Sequence, residues 1–485
     1  MRRFLDRYRA MPVQAKAALW FIACSFLEKG ITVLSTPIFA RLLTTAEYGR
    51  FNAFMSWFGI LSVFVTLSLH TGVFSQAVVK FEEDRNRFIS SMQGLALLLA
   101  AAWTAVYLLF MDMWNTVFNL TTVQMLCLLG LCWTSAAWGF WITEQRVLYK
   151  YKALVGLTLA VTFLKPALGV ALVVTSDDKV TARILGMLAV ELAAGIYCCV
   201  TQTVRGKKLW DKKYWKYMVV LCIPLIPHFL SQTVLNNSDR IMIERLVSED
   251  KAGIYGLAYS ISTLMTLFNT ALGQTLSPWM FKKMKDRQAG DIAPVAYGTL
   301  AFIAVMNLLL MFLGPEAVRI FAPAEYYEAI WTIPPVAMSA YLLFMFDLFA
   351  RFEFYYEKTA GVMMASILGA ALNVGLNFLC IPAFGYIAAG YTTLFCYLVT
   401  TLCHYALMRR ACRLNGVGKV YDEKKLAIIT AVFMAAGFAV LATYNVPWLR
   451  FSLLGAALLG AALNFRRLKK GIQVFMNLRR GEDPA

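Results

Sequence analysis

The chain has 485 residues, 60% of them hydrophobic and 15% charged, against roughly 25% charged in a typical soluble domain. That deficit, with repeated apolar runs near the ~20 residues a helix needs to cross a bilayer, excludes a soluble globular protein and leaves no polar segment long enough for a separate soluble domain. The formal charge of +18 would suggest nucleic acid in a soluble chain; in an apolar chain it marks cytoplasmic loops, and no nucleic-acid partner is expected.

The pattern predicts an all-α polytopic membrane protein of about fourteen transmembrane helices. The spans are 17–40, 51–76, 89–111, 122–143, 153–174, 184–204, 217–237, 253–278, 294–313, 330–349, 361–381, 387–408, 426–443 and 450–465. With the N-terminus in the cytoplasm, most of the 46 Lys and Arg fall in cytoplasmic segments, and the C-terminus lies there too. The first helix, behind the basic head MRRFLDRYR, is expected to be retained rather than cleaved as a signal peptide.

Span 1 carries Glu28 and Lys29, adjacent in sequence and about 100° apart on a helix, so neither can simply neutralise the other. It ends in PIFARLLTTAEYGRF, residues 37–51. Thr44-Thr45-Ala46-Glu47 reads as a capping box starting the next helix. Arg41 marks either a membrane boundary or a symmetric feature, because the same phrase returns in IMIERLVSEDKAGIY, residues 241–255. Counted from Arg41 and Arg245, both copies read R-L-[LV]-[TS]-x4-G-x-[FY]. In the second, Ser248 can cap but Lys251 replaces the glutamate.

Next come His70 in a polar SLHTG stretch and the Trp133, Trp138 and Trp141 group in span 4, read mainly as interface or packing aromatics. Lys165 precedes Pro166, which is expected to bend or break span 5. Glu191 lies in span 6. A buried charge at mid-helix costs about 2.5–3.5 kcal/mol on insertion scales, so each needs a cavity or a partner. Lys165 pairs with Glu28 or Glu191, or else faces a phosphate, whose oxygens accept strong charge-assisted hydrogen bonds. Both readings are open at this stage.

The basic segment VRGKKLWDKKYWKY, residues 204–217, follows six spans and separates two halves whose first helices start on the same side. This is a parallel repeat: an N-terminal six-helix lobe 1–203, a linker 204–217, a C-terminal six-helix lobe 218–408, and an appendage 409–485 of two helices with a basic tail that suits a membrane surface. Asp239 and Arg240, in NNSDR at the end of span 7, are read as a structural pair or a gate. Asp347 and Arg351 have helical ion-pair spacing. Asn236, Asn237, Asn269, Asn307, Asn373 and Asn377 suit sugar hydroxyls, but asparagine also joins membrane helices, so the sequence selects none of them. Ten cysteines, mostly mid-span and without CxxC, predict neither disulfide nor zinc. No P-loop, HExxH or Ser/His/Asp order is present, which excludes direct ATP use within this chain.

Residues 31–54, ITVLSTPIFARLLTTAEYGRFNAF, and 223–261, around Asn237–Arg240 and Gly253-Ile254-Tyr255, resemble bacterial polysaccharide-unit flippases of the Wzx type. A looser match is FAPAEYYEAIWTIPPVAMS, residues 321–339. These belong to the multidrug, oligosaccharidyl-lipid and polysaccharide exporter superfamily. The resemblance implies two six-helix lobes around a central cavity in the bacterial inner membrane. It also implies alternating-access translocation of a polyprenyl-pyrophosphate-linked oligosaccharide for surface polysaccharide such as O-antigen, beside a polymerase and assembly proteins.

On that reading Lys29, Arg41, Lys165, Arg240 and Arg245 would attract the anionic substrate. Glu28, Glu191, Asp239 and His70 would respond to H+ or Na+, with no cofactor or metal. The rivals are a cation-coupled drug exporter, which would need decisive carboxylates in the cavity, and a membrane glycosyltransferase or polymerase. The enzyme would need more exterior structure than the loop around 314–329.

Overall fold

A computed structural model describes residues 11–71 and 73–463. The basic tail expected on the membrane surface, and both chain termini, lie outside the described residues. Everything regular within them is helical: α1 Val13–Leu42, α2 Thr45–Val65, α3 Phe74–Lys80, α4 Arg85–Leu109, α5 Met111–Phe118, α6 Thr122–Val147, α7 Tyr151–Thr175, α8 Lys179–Gly206, α9 Lys212–Cys222 and α10 Ile226–Leu246. There follow α11 Glu249–Ser262, α12 Leu264–Lys285, α13 Ile292–Phe312, α14 Gly314–Phe321, α15 Ile333–Tyr355, α16 Thr359–Phe384, α17 Ala388–Leu414, α18 Glu423–Ala442 and α19 Pro447–Leu463. Helices dominate because lipid offers backbone groups no partner, and a helix satisfies them within one segment.

Among the described residues, ten helical segments are long and apolar enough to cross a membrane, which makes this a multi-pass membrane protein. α2, α12, α17 and α19 lie where further spans were expected but are not among the ten. α19 is only 17 residues long; α12 mixes its apolar residues with Asn269, Gln274 and a lysine-rich last turn. α7 runs through Pro166 without a break, so the expected interruption there is a local loss of one hydrogen bond within a continuous helix.

The chain divides into two compact units, Met1–Gly253 and Ile254–Ala485. In the first, α8 packs against α4, α6 and α7, α1 lies on α7, and α10 packs on α2. Small residues allow this closeness. A Cβ on Gly186 of α8 would fall 2.8 Å from the Gly169 Cα of α7. The guanidinium of Arg183, also on α8, stacks 3.9 Å from the Phe39 ring and 3.5 Å from the Phe51 ring. This cation–π sandwich ties α8 to the ends of α1 and α2. In the second unit α15 is the central helix, packed against α12, α13, α17 and α18, and most of its residues are buried.

Candidate functional site

The repeated phrase makes a helix crossing. α2 begins with the expected box: the Glu47 N–H donates to Thr44 Oγ1 at 3.2 Å, and the Thr44 N–H donates to Glu47 Oε2 at 2.8 Å. In the second copy the Lys251 N–H donates to Ser248 Oγ at 3.2 Å, and the returning carboxylate is missing, as Lys251 requires. The two glycines then meet reciprocally. A Cβ on Gly49 would lie 1.9 Å from the Glu249 carbonyl oxygen, and one on Gly253 would lie 2.0 Å from that of Thr45. Only glycine permits such an approach. Around the crossing Arg50 pairs with Glu249 at 3.3 Å and the Thr45 hydroxyl donates to Asp250. Asn119 Nδ2 donates to Glu244 Oε1 at 3.2 Å. Arg245 is part of this belt, its Nη2 donating to the Val117 carbonyl at 2.6 Å. Arg41 turns back to the Pro37 carbonyl at 3.1 Å.

From the other end of α2 opens a polar cavity of about 370 Å³. Gly59, Ser62 and Val63 of α2, with Thr66 just after it, form one wall, and Phe229, Gln232, Thr233, Asn236 and Asn237 of α10 the other. Ser68, His70 and Thr71 close it from the turn after α2. That turn is shaped by its hydroxyls: Thr66 caps the Ser68 N–H at 3.2 Å, and Thr71 donates to the Ser68 carbonyl at 2.7 Å. Leu67 and Ser68 adopt left-handed φ near 49°, an uncommon conformation for side-chain-bearing residues. The His70 ring fits because position 139 on α6 is glycine: a Cβ there would sit 2.5 Å from His70 Cδ2. His70 Nδ1 is buried and has no hydrogen-bond partner among the described residues.

The cavity's chemistry suits neutral, hydroxyl-rich matter. Thr233, Asn236 and Asn237 each donate one hydrogen to the backbone a turn earlier, at 2.8, 2.8 and 2.9 Å. The Thr233 hydroxyl oxygen retains capacity to accept a hydrogen bond from a ligand. Among the described residues, no carboxylate lines the cavity. Arg240 reaches the wall indirectly, its Nη1 donating to Asn237 Oδ1 at 3.3 Å; the neighbouring Asp239 is buried.

Of the residues named from the sequence, the fold therefore brings Asn236, Asn237, His70 and, through Asn237, Arg240 to this cavity. Lys165 and Glu191 meet each other instead, Nζ to Oε1 at 2.8 Å between α7 and α8, with the Thr134 hydroxyl 3.4 Å from the same carboxylate. Of the two readings left open for Lys165, the geometry realises the pair with Glu191. Glu28 and Lys29 lie on α1, away from the cavity-lining set, Glu28 exposed and Lys29 half-buried.

Sequence reasoning missed another buried acid. Glu144 accepts from Gln202 Nε2 at 2.7 Å and from Arg205 at 3.2 Å, and Gln93 extends the chain to Gln202 at 2.8 Å. The expected span stopped at 143, so Glu144 was placed in a loop. Among the described residues no group of three or more His, Cys, Asp or Glu is placed to hold a metal ion.

Among solved structures, the fold is similar to "Lipid II flippase MurJ, inward closed conformation", with a TM-score of 0.71 and 13% identity over 93% of this chain and 100% of that one. It is also similar to an inward-facing multidrug resistance MATE family transporter of the MOP superfamily, with a TM-score of 0.61 and 13% identity over 81% and 96%. Two Haemophilus influenzae proteins are similar in sequence. "Lsg locus putative protein 1" is 23% identical over 41% of this chain and 51% of its own length, and an "Uncharacterized membrane protein" is 22% identical over 41% and 50%. The chain thus spans about half the length of the curated relatives it matches. The family described as polysaccharide biosynthesis protein matches residues 15–284, more than half of the 485, and the chain belongs to that family, with the fold of the multidrug, oligosaccharidyl-lipid and polysaccharide superfamily.

Proposed function

We propose that the protein is a flippase that carries a polyprenyl-pyrophosphate-linked oligosaccharide from the cytoplasmic to the outer leaflet of a bacterial inner membrane by alternating access, both termini being cytoplasmic. The observation that carries this reading is the cavity between α2 and α10. Among the described residues it offers hydroxyls, amides and an imidazole, the groups that exchange hydrogen bonds with sugar hydroxyls, and no lining carboxylate to receive a cationic drug. The family assignment and the similarity to a lipid II flippase fold support the same substrate class.

In this reading the oligosaccharide enters the cavity and the polyprenyl tail stays in lipid. Lys29, Arg41, Arg240 and Arg245 supply positive potential for the pyrophosphate or acidic sugars. Lys165 contributes through its pair with Glu191, and Glu28, Asp239 and His70 are proposed as ion-responsive groups. Polymerase and assembly proteins would take the product.

The test is a deletion strain complemented with wild type or with Asn236→Ala plus Asn237→Ala. Loss of the protein should accumulate lipid-linked oligosaccharide on the cytoplasmic face, and the double variant should restore export at least tenfold less well. Unchanged surface polysaccharide and no accumulation in the deletion strain would refute the reading.

A further inference from the structure

The second unit holds a buried cluster of ionisable groups that the cavity does not use. Glu353, near the end of α15, and His404, in the middle of α17, meet with Nδ1 2.6 Å from Oε1. The imidazole is 0% exposed and the carboxylate side chain 1%. The Phe346 ring packs edge-on against the imidazole at 4.3 Å between centroids. The outer atoms of the pair, His404 Nε2 and Glu353 Oε2, are both buried with no hydrogen-bond partner among the described residues. Asp347 and Arg351 stand on the same helix, Asp347 within electrostatic reach of both Arg351 and His404. Arg351 Nη1 and the hydroxyl of Tyr421, which lies just before α18, are likewise buried without partners.

The charges in this cluster balance only with an added proton. Two carboxylates and one guanidinium leave one negative charge when His404 is neutral, and none when one more proton is held. An uncompensated charge in apolar surroundings is expensive, and the imidazole is the group whose protonation changes near neutral pH.

Among the described residues, the surrounding helices supply no other compensation. α16 and α13 contain no Asp, Glu, Lys, Arg or His. On α12, Lys283 is engaged by Asp291 at 3.0 Å and Gln288 at 2.9 Å, while Lys282 and Lys285 are exposed. On α18, Glu423 is engaged by Arg409 and Lys419, and Lys424 and Lys425 are exposed. On the segment before α15, Glu328 is bound by the Tyr386 hydroxyl.

We propose that the His404–Glu353 pair is a proton-binding site that couples transport to the proton gradient. The coupling half rests on the transport reading above; proton binding does not. When His404 takes up a proton, Nε2–H becomes a second donor in a cluster already rich in donors from Arg351. α15 and α17 must then rearrange or bring an acceptor to it. Loss of the proton restores a single donor aimed at Glu353. The two protonation states thus favour different packings of α15 on α17, which is what coupling requires.

The test uses the full chain in lipid nanodiscs with 15N-labelled histidine. The sequence has only three histidines, and His404→Gln removes and so assigns one signal. The expected result is that this signal changes reversibly with pH, and that Glu353→Gln, which keeps the shape but removes the carboxylate charge, moves that change to lower pH. In proteoliposomes carrying a fluorophore-labelled polyprenyl-pyrophosphate disaccharide, an imposed pH gradient should accelerate wild-type translocation several-fold, and both variants should lose that acceleration. A His404 signal fixed in one protonation state from about pH 5 to 9, or acceleration unchanged in both variants, would overturn the proposal. If Glu353→Gln fails to fold, the wild-type titration still decides proton binding. If wild-type liposomes move no saccharide under any gradient, the transport reading and the coupling fall together, and the His404 titration separates that failure from failure of the proton site.

Discussion

Lys165 shows how much a single residue's surroundings decide. From the sequence it was a cation inside a helix, equally suited to a phosphate or a carboxylate; its pairing with Glu191 at 2.8 Å was settled by how α7 lies on α8. Removing one partner of a partly buried pair strands the other, and pairing is worth more there than on a surface. Lys165→Ala and Glu191→Ala should each lower stability by about 1–3 kcal/mol, and Lys165→Met with Glu191→Met should recover most of the loss. Thermal unfolding of the single and double variants in detergent checks this, and additive losses would show that the pair is not coupled. The Thr44 cap was fully legible, because a capping box is written within four residues. Thr44→Ala should cost about 1 kcal/mol, whereas Ser248→Ala should cost less, its box being half made. His70 was legible as an ion-responsive candidate, but not the room it occupies, since the glycine that makes space for it, Gly139, lies on another helix.

At the scale of elements, the duplicated phrase was visible in the sequence but its purpose was not. Two glycines 204 positions apart, counted from Gly49 to Gly253, meet where α2 and α11 begin. Alanine at Gly253 would place a methyl 2.0 Å from a backbone carbonyl. Backbone cannot swing aside as a side chain can, so Gly49→Ala and Gly253→Ala should each destabilise by about 1–3 kcal/mol. Gly30→Ala, on α1 with nothing within 4 Å, should be neutral or stabilise by about 0.5–1 kcal/mol. Melting temperatures of the three variants give the contrast directly.

The linker has its own tie: Asp211 pairs with Arg87 at 3.1 Å and Lys208 at 3.4 Å and caps the Lys213 N–H of α9 at 3.1 Å. Desolvation pushes its carboxyl upward, but the Lys213 N–H, the Lys208 ammonium and the Arg87 guanidinium outweigh it, and Asp211 titrates below the usual aspartate range. A carboxyl depressed on folding contributes stability above its unfolded pKa and loses it as pH falls through the folded value. Asp211→Asn should therefore narrow its stability deficit against wild type as pH drops from about 5 toward 2, measured by unfolding at each pH.

For the whole molecule, charge asymmetry forecasts orientation. Cysteines introduced at Lys208 and at Asp177 in a cysteine-free background should react with a membrane-impermeant reagent from opposite sides, Lys208 from the cytoplasm; labelling of both from one side would show that α8 does not cross, and labelling of Lys208 from outside would invert the expected topology. The sequence by itself determined the class, the all-helical architecture and the positions of most spans. Apolar run length and the skew of Lys and Arg are local quantities, and a bilayer leaves few alternatives to helices. It also displayed the repeat, which is a matter of spelling. Only the tertiary structure decided which polar groups share a cavity, which charges neutralise one another, and that Glu144 and Glu353 are buried at all. Those two acids lie just beyond where hydropathy ends the expected spans, while the helices run on to Val147 and Tyr355. A window of residues along one chain averages over neighbours in sequence, whereas the energy of a buried charge is set by atoms a few ångströms away on other helices.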